Sequence, residues 1–286
     1  MSKFSCFNLA IDNHIAMLKM NRPDSFNSMT REFWRELPEI VRDIDKNTKA
    51  RVIVLSGEGK HFCAGMDLTN FVADNKKIKK DPARLREAFY QELLGLQNSL
   101  SALEECRLPT IAAIQGACVG AGIDMIAACD MSFCTKDAFF KIAEVDVGIA
   151  PDVGTLQRLV KAIPISKLRE LSYSGRKFDA IEAKELNLIS EIYETKTDLM
   201  NTVLKLAKKI ATKSPLVTRV IKKQINFSRD HSVSDSLDYA AIWSAAAISD
   251  NDLQEAMKSY IEKKDGEFDD LEDLKEFWEK KNGLIS

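Results

Sequence analysis

Three acids, Glu144, Asp146 and Asp152, punctuate the otherwise apolar run FKIAEVDVGIAPDVGTL at 140–156, and no basic residue lies between Ile142 and Leu156. Pro151-Asp152-Val153-Gly154 is good turn chemistry, so one or two of these acids have an ordinary use. Carboxylates crowded into an apolar pocket cannot all ionise, however. At least one keeps a raised pKa and can act as an acid near neutrality. A fourth acid, Asp124, closes the segment GACVGAGID at 116–124. It sits where a helix begins, and there it can complement the helix dipole. Its apolar surroundings also ask for a partner or a purpose.

Two glycine-bearing loops offer backbone donors. A glycine-rich start to a helix exposes unpaired N–H groups that stabilise negative charge, which is one reading of 116–124; close strand–helix packing is the other. The spacing G-x-x-x-G-x-G is not the dinucleotide G-x-G-x-x-G, so a nicotinamide site is disfavoured. The second loop, HFCAGMDL at 61–68, has a glycine that lets backbone approach a ligand closely. On its own it is better read as a tight turn.

The elements that must position these groups follow from composition and pattern. The chain has 286 residues, 45% hydrophobic and 29% charged, with a net charge of −2. That supports a sizeable core and gives no overall field for nucleic acid or an anionic membrane. We expect a main unit over 1–210 and a helical C-terminal region over 211–286. Six cysteines without C-x-x-C and only three histidines disfavour a zinc cluster, and Cys118, Cys129 and Cys134 read as buried thiols. The apolar stretch 111–129 mimics a membrane span, but Gln115, three glycines and Asp124 interrupt it. It reads as a buried strand running into a buried helix.

The pattern predicts a hairpin over 7–20 with its turn at Asp12-Asn13, and a helix to about 45 capped by Thr30. RVIVLS at 51–56 reads as a buried parallel strand. An exposed basic turn over 75–82 precedes a helix to about 105, and a strand at 110–115 leads into the glycine turn and a helix ending at 129. Strands are expected at 131–134 and 138–142. Helices follow at 155–162, 166–173, 180–186, 198–212, 216–228 and a long one at 235–264, with an acidic tail after 266. Strands alternating with helices argue for α/β.

Taken in order, IVLSGEGKHFCAGMDL and the run from LPTIAAIQGACVGAGID to DVGTLQRL resemble the enoyl-CoA hydratase/isomerase (crotonase) superfamily. LKMNRPDSFNSM resembles its N-terminal motif and SPLVTRVIKKQ its C-terminal helix, so the likeness spans about 7–264. It implies an α/β fold: a crotonase-type spiral of ββα units with an α-helical C-terminal region that serves oligomerisation and covers the CoA pocket. It implies homotrimers or dimers of trimers and an acyl-CoA thioester substrate, with no cofactor beyond the substrate's own coenzyme A and no metal. By position, the thioester oxygen falls between the backbone N–H groups of Met66 and Ala121, with Ala64, Gly65, Asp67 and Leu68 also at the substrate. Many relatives have glycine where Ala121 stands. Lys60, Lys263 and Lys264 are candidates for the CoA phosphates, although an exposed lysine is more often simply solvated.

Hydratases of this family carry Glu at the position of Asp124 and Gly at that of Asp152. The set Asp124, Glu144 and Asp152 instead resembles Δ3,5-Δ2,4-dienoyl-CoA isomerases. The resemblance implies proton removal at C2 by Glu144, return at C6 by Asp152, and tuning of the pair by Asp124. The alternatives are an enoyl-CoA hydratase and a catalytically silent binding protein of the same fold. MSKFSCFNLAID shows neither a secretory core nor an Arg-rich presequence, and the chain ends in LIS rather than S-K-L. A cytoplasmic location is therefore expected.

Overall fold

The computed structural model describes residues 4–67 and 81–274. Strands β1 (Phe7–Asp12) and β2 (Ile15–Met20) form the expected hairpin. Its two central residues, Asn13 and His14, both take positive φ, which matches the right-handed twist of the strands. Helix α1 (Arg31–Asn47) follows; the Thr30 hydroxyl accepts from the Phe33 N–H, and Phe33, Leu37, Ile40, Val41 and Ile44 face the core.

Strand β3 (Val52–Gly57) is buried along its whole length, as a β-branched run flanked by parallel neighbours should be. Helix α2 (Pro82–Glu105) then returns the chain to β4 (Thr110–Ile114). Next come β5 (Ala117–Val119), α3 (Ala121–Ala127), β6 (Met131–Thr135) and β7 (Phe139–Lys141). After a 3₁₀ turn at Glu144–Val147 lie α4 (Thr155–Leu159), α5 (Ile165–Ser174), β8 (Phe178–Asp179), α6 (Ala180–Glu185) and β9 (Glu191–Tyr193). Among the described residues the large sheet runs β1-β2-β3-β4-β6-β9, parallel except for the β1–β2 hairpin, and a small sheet runs β5-β7-β8. β2, β3, β4 and β6 are thus each followed by a strand or single bridge of the small layer and then a helix, whereas β9 runs straight into a helix.

Helix α7 (Lys196–Ala211) lays Leu199, Val203 and Ala207 across one face of the large sheet against Val52, Val54 and Ile111. Burying each such side chain stabilises the fold by about 1.5–3 kcal/mol. Helices α8 (Pro215–Asp230), α9 (Val233–Ala247) and α10 (Asp250–Glu262) complete the chain.

Three expectations need correction. The glycine turn at 116–122 contains a strand, β5. The long helix over 235–264 is two helices, because Ser249 leaves helical φ/ψ and its hydroxyl accepts from the Asp252 N–H to start α10. The helix at 155–162 stops at Leu159. The basic turn at 75–82 lies outside the described residues but for its last two positions, as does the end of the acidic tail. No described helix is long and apolar enough to cross a membrane, and 111–129 divides among β4, β5 and α3.

Candidate active site

Both donor loops leave the carboxyl ends of adjacent parallel strands, β3 and β4, where open α/β sheets present ligands. They are tied together by a bridge between Cys63 and Cys118, through Cys63 N–H to Ala117 O at 2.9 Å and Val119 N–H to Cys63 O at 3.0 Å. Loop 60–67 is also held from the N-terminal motif: Asn27 Nδ2 donates to Glu58 O at 3.0 Å and His61 O at 2.9 Å.

The same construction recurs at the two donors. Gly65 (φ 92°) precedes Met66, and Gly120 (φ 52°) precedes Ala121. A positive φ that glycine adopts without strain turns the next amide out of the chain's own bonding pattern. Met29 pairs with this segment through Gly65 O and the Asp67 N–H, which leaves the Met66 N–H facing the other way. Ala121 is the first residue of α3, so its N–H has no intrahelical acceptor. Neither amide has a hydrogen-bond partner among the described residues. Ala121 itself lies in the helix, so the alanine there is unstrained. A β-carbon on Gly65 would lie 2.9 Å from Val119 O and 3.6 Å from Ala121 N, which brings the two loops into contact.

The acids converge on the same place. Asp124, 1% exposed, projects from α3 and accepts from the Thr155 N–H at 2.5 Å, which docks the carboxylate on the first turn of α4. Burial pushes its carboxyl up to about 6, against the hydrogen bonding from Thr155 and the nearby Arg158 charge. Glu144, at the 3₁₀ turn, packs on the second donor loop: a β-carbon on Gly120 would be 3.4 Å from its Oε1. Its Oε2 is buried without a hydrogen-bond partner among the described residues. Burial, reinforced by the negative charge of Asp124, pushes Glu144 up to about 7. Asp152 is half-buried, its carboxyl raised by burial, and its backbone is fixed from α2, where Gln97 Nε2 donates to Asp152 O at 2.7 Å.

Asp124, Glu144, Asp152, Ala64, Gly65, Met66 and Ala121 all line one cavity of about 860 Å³. The structure does not bring Asp67 to it. That side chain turns to Arg22 at 3.5 Å and Ser28 at 3.2 Å, bracing the loop behind Met66. Asp146 lines the cavity but is ion-paired to Lys141 at 2.5 Å. Lys264 pairs with Glu262 at 2.6 Å. Leu68 lies outside the described residues.

Sequence reasoning missed the opposite wall: Arg31, Trp34 and Arg35 of α1, and Phe89, Leu93, Gly95 and Leu96 of α2. Gly95 was the available signal, since an interior glycine costs a helix about 1 kcal/mol relative to alanine and asks for a reason. A β-carbon there would meet no described atom within 4 Å.

This frame, a ββα spiral whose cavity joins two outward-turned amides to three raised carboxyls, defines a class. The family profile described as "Enoyl-CoA hydratase/isomerase" matches residues 10–271. The chain belongs to that family. It is 40% identical over 254 residues, 88% of this chain and 78% of the relative, to a protein of Mus musculus named Delta(3,5)-Delta(2,4)-dienoyl-CoA isomerase, mitochondrial. A peroxisomal protein of that name from Arabidopsis thaliana is 39% identical over 259 residues, 90% of this chain and 93% of its own length. The crystal structure of an enoyl-CoA hydratase from Bacillus anthracis superposes with a TM-score of 0.81 at 26% identity, covering 92% of this chain and 99% of that one. The fold is the crotonase-type α/β spiral with a helical C-terminal region. The organelle names of the relatives overturn the expectation of a cytoplasmic location. That expectation rested on short terminal signals, which the folding of the core leaves unconstrained.

Proposed function

We propose that this protein isomerises 3,5-dienoyl-CoA to 2,4-dienoyl-CoA. The observation that carries the reading is the convergence of Asp124, Glu144, Asp152 and the amides of Met66 and Ala121 on one cavity. The names of the relatives at about 40% identity support the same substrate class.

In the proposed reaction the thioester oxygen accepts from the Met66 and Ala121 N–H groups. Glu144 removes a proton from C2, and the electron pair moves into the thioester to form an extended dienolate. Each amide contributes roughly 3–4 kcal/mol to that charge. Asp152, in its protonated form, delivers a proton to C6, which leaves the double bonds at 2 and 4. C2 and C6 are several ångströms apart along an extended diene, so two carboxyls serve the two ends better than one. A base raised to about 7 is matched to proton transfer near neutrality. Asp124 tunes the pair, because neighbouring carboxyls titrate together. This chemistry calls on no metal or redox cofactor; the coenzyme A arrives with the substrate.

We assign catalysis to residues 1–210 and oligomerisation, as a trimer or a dimer of trimers, to 211–286. Exposed apolar side chains on α8–α10, among them Val217, Ile221, Leu237 and Ile242, support that division of labour. The test is a pair of assays, crotonyl-CoA hydration and the rise of 2,4-dienoyl absorbance from a 3,5-dienoyl-CoA. The proposal expects the second reaction to dominate. Rapid hydration with no dienoyl absorbance would make the protein a hydratase, and silence in both would make it a binding protein.

A further inference from the structure

Behind the carboxyl cluster, on the side away from the cavity, runs a chain of charges that the proposed reaction does not use. Arg158 of α4 lies one helical turn beyond Thr155, whose N–H holds Asp124. Its Nε donates to Glu104 Oε2 at 2.9 Å and its Nη2 to Ser101 Oγ at 3.0 Å, both on α2. The guanidinium also presses on Gly154, where a β-carbon would lie 1.9 Å from Nη1, at a φ of 139° that glycine tolerates best. The other oxygen of Glu104 is taken by Arg229 of α8, which also binds Asp230 at 2.8 Å. Asp230 in turn faces Lys161 at 3.7 Å.

We propose that Arg158 is a positioning residue that seats the 152–155 turn and supplies the positive charge against which the active-site carboxyls are balanced. Two acids compete for it. Asp124 of α3, held by Thr155 on the same helix as Arg158, feels its charge, and Glu104 of α2 pairs with it at 2.9 Å while sharing its own charge with Arg229. Burial alone would raise the Glu104 carboxyl, but the two guanidiniums hold it below its ordinary value, so it stays an anion. Glu144, Asp152 and the Cys118 thiol, which burial keeps protonated, also surround Asp124; across the same cavity stand Arg31, Arg35 and Glu92, and Asp146 is paired with Lys141. Arg31 and Arg35 of α1 face the cluster from across the cavity, whereas Arg158 reaches it from behind, and Glu104 sets how much of that charge the cluster feels. Through Arg229 that setting extends to the C-terminal helices.

The opposite signs of the two neighbours make this testable. Arg158→Gln removes the cation and should move the apparent titration of the Asp124–Glu144–Asp152 cluster up by about half a unit to one unit. Glu104→Gln removes the competing anion and should move it down. Arg158→Lys keeps the charge but loses the planar fork, so the titration should stay near wild type while turnover falls about tenfold. Carbon-13 NMR of the carboxyls in the full-length free protein reads the titration, and the pH profile of diene isomerisation reads it again in turnover.

The proposal rests on the isomerase reading only for the kinetic arm. A wild type that isomerises nothing, with the NMR shifts as stated, would remove the reading and leave Arg158 in place. Shifts of the same sign in Arg158→Gln and Glu104→Gln, or no shift in either, would overturn the role of Arg158. If Arg158→Gln fails to fold, a downward shift in Glu104→Gln still supports the role and its absence still overturns it.

Discussion

Asp124 pays a folding penalty for its place in the cavity, and removing that penalty should stabilise the protein while harming catalysis. The carboxyl is 1% exposed and raised from 3.8 to about 6. At about 1.4 kcal/mol per pKa unit, that difference costs the native state about 3 kcal/mol once the group is ionised. The sign follows from proton binding. Between about pH 4 and pH 6 the native state holds more protons at Asp124 than the unfolded chain does, so stability from this group falls as pH rises through that window. Well below pH 4 both states are protonated and the penalty vanishes; well above pH 6 it is complete. Asp124→Asn keeps an oxygen for the Thr155 N–H and loses the charge. It should therefore raise unfolding stability by up to about 3 kcal/mol at pH 8 but by only about 0.5 kcal/mol at pH 4, with the ionic strength held constant. Denaturant titrations of both proteins at the two pH values measure this directly. A gain equal at both pH values, or a loss at pH 8, would refute the reasoning. Turnover should fall even as stability rises, because the cluster loses the charge that raises Glu144.

Diene isomerisation should have an acid limb between about pH 6 and 7, where Asp124 and Glu144 give up their protons, and a profile flat from pH 5 to 8 would count against both assignments. Gly120→Ala should reduce kcat about 10²-fold or more, since an L-residue at φ 52° and ψ −123° is strained and the substitution crowds Glu144 and re-aims the Ala121 amide; unchanged kcat would remove that amide from the mechanism. Gly95→Leu should lower kcat/KM for long-chain substrates more than for short ones, because its side chain would enter the open space on the α2 wall, and equal effects across a chain-length series would exclude that wall from acyl binding.

Much of the site was legible because its chemistry is local. A carboxylate in an apolar run and a glycine before an exposed amide announce themselves within a few residues, as at Glu144, Asp124, Gly65 and Gly120. The strands of the large sheet were legible for a similar reason: β3 and β4 are buried on both sides and read as unbroken apolar runs. Short elements of the small sheet were not. β5 has three residues and β8 two, and neither has a period of its own; each exists because β7 lies between them. The break between α9 and α10 was hidden by continuous helix formers on both sides, although Ser249 with Asp252 is a recognisable cap. The α1–α2 wall of the cavity was invisible for a different reason. Arg31, Trp34 and Phe89 are ordinary residues on amphipathic helices, and only the packing of those helices over the donor loops makes them a wall. Asp67 shows the reverse: a position that sequence likeness put at the substrate serves from behind, through Arg22 and Ser28.

The division of labour between two carboxyls is tested most directly by isotope exchange in D₂O with Asp152→Asn and Glu144→Gln, followed by NMR at C2 and C6 of a 3,5-dienoyl-CoA. Asp152→Asn should still exchange the C2 proton while isomerisation falls about 10²-fold or more, and Glu144→Gln should lose both. Loss of C2 exchange in Asp152→Asn with its retention in Glu144→Gln would reverse the assignment, and full isomerisation in either variant would contradict the account.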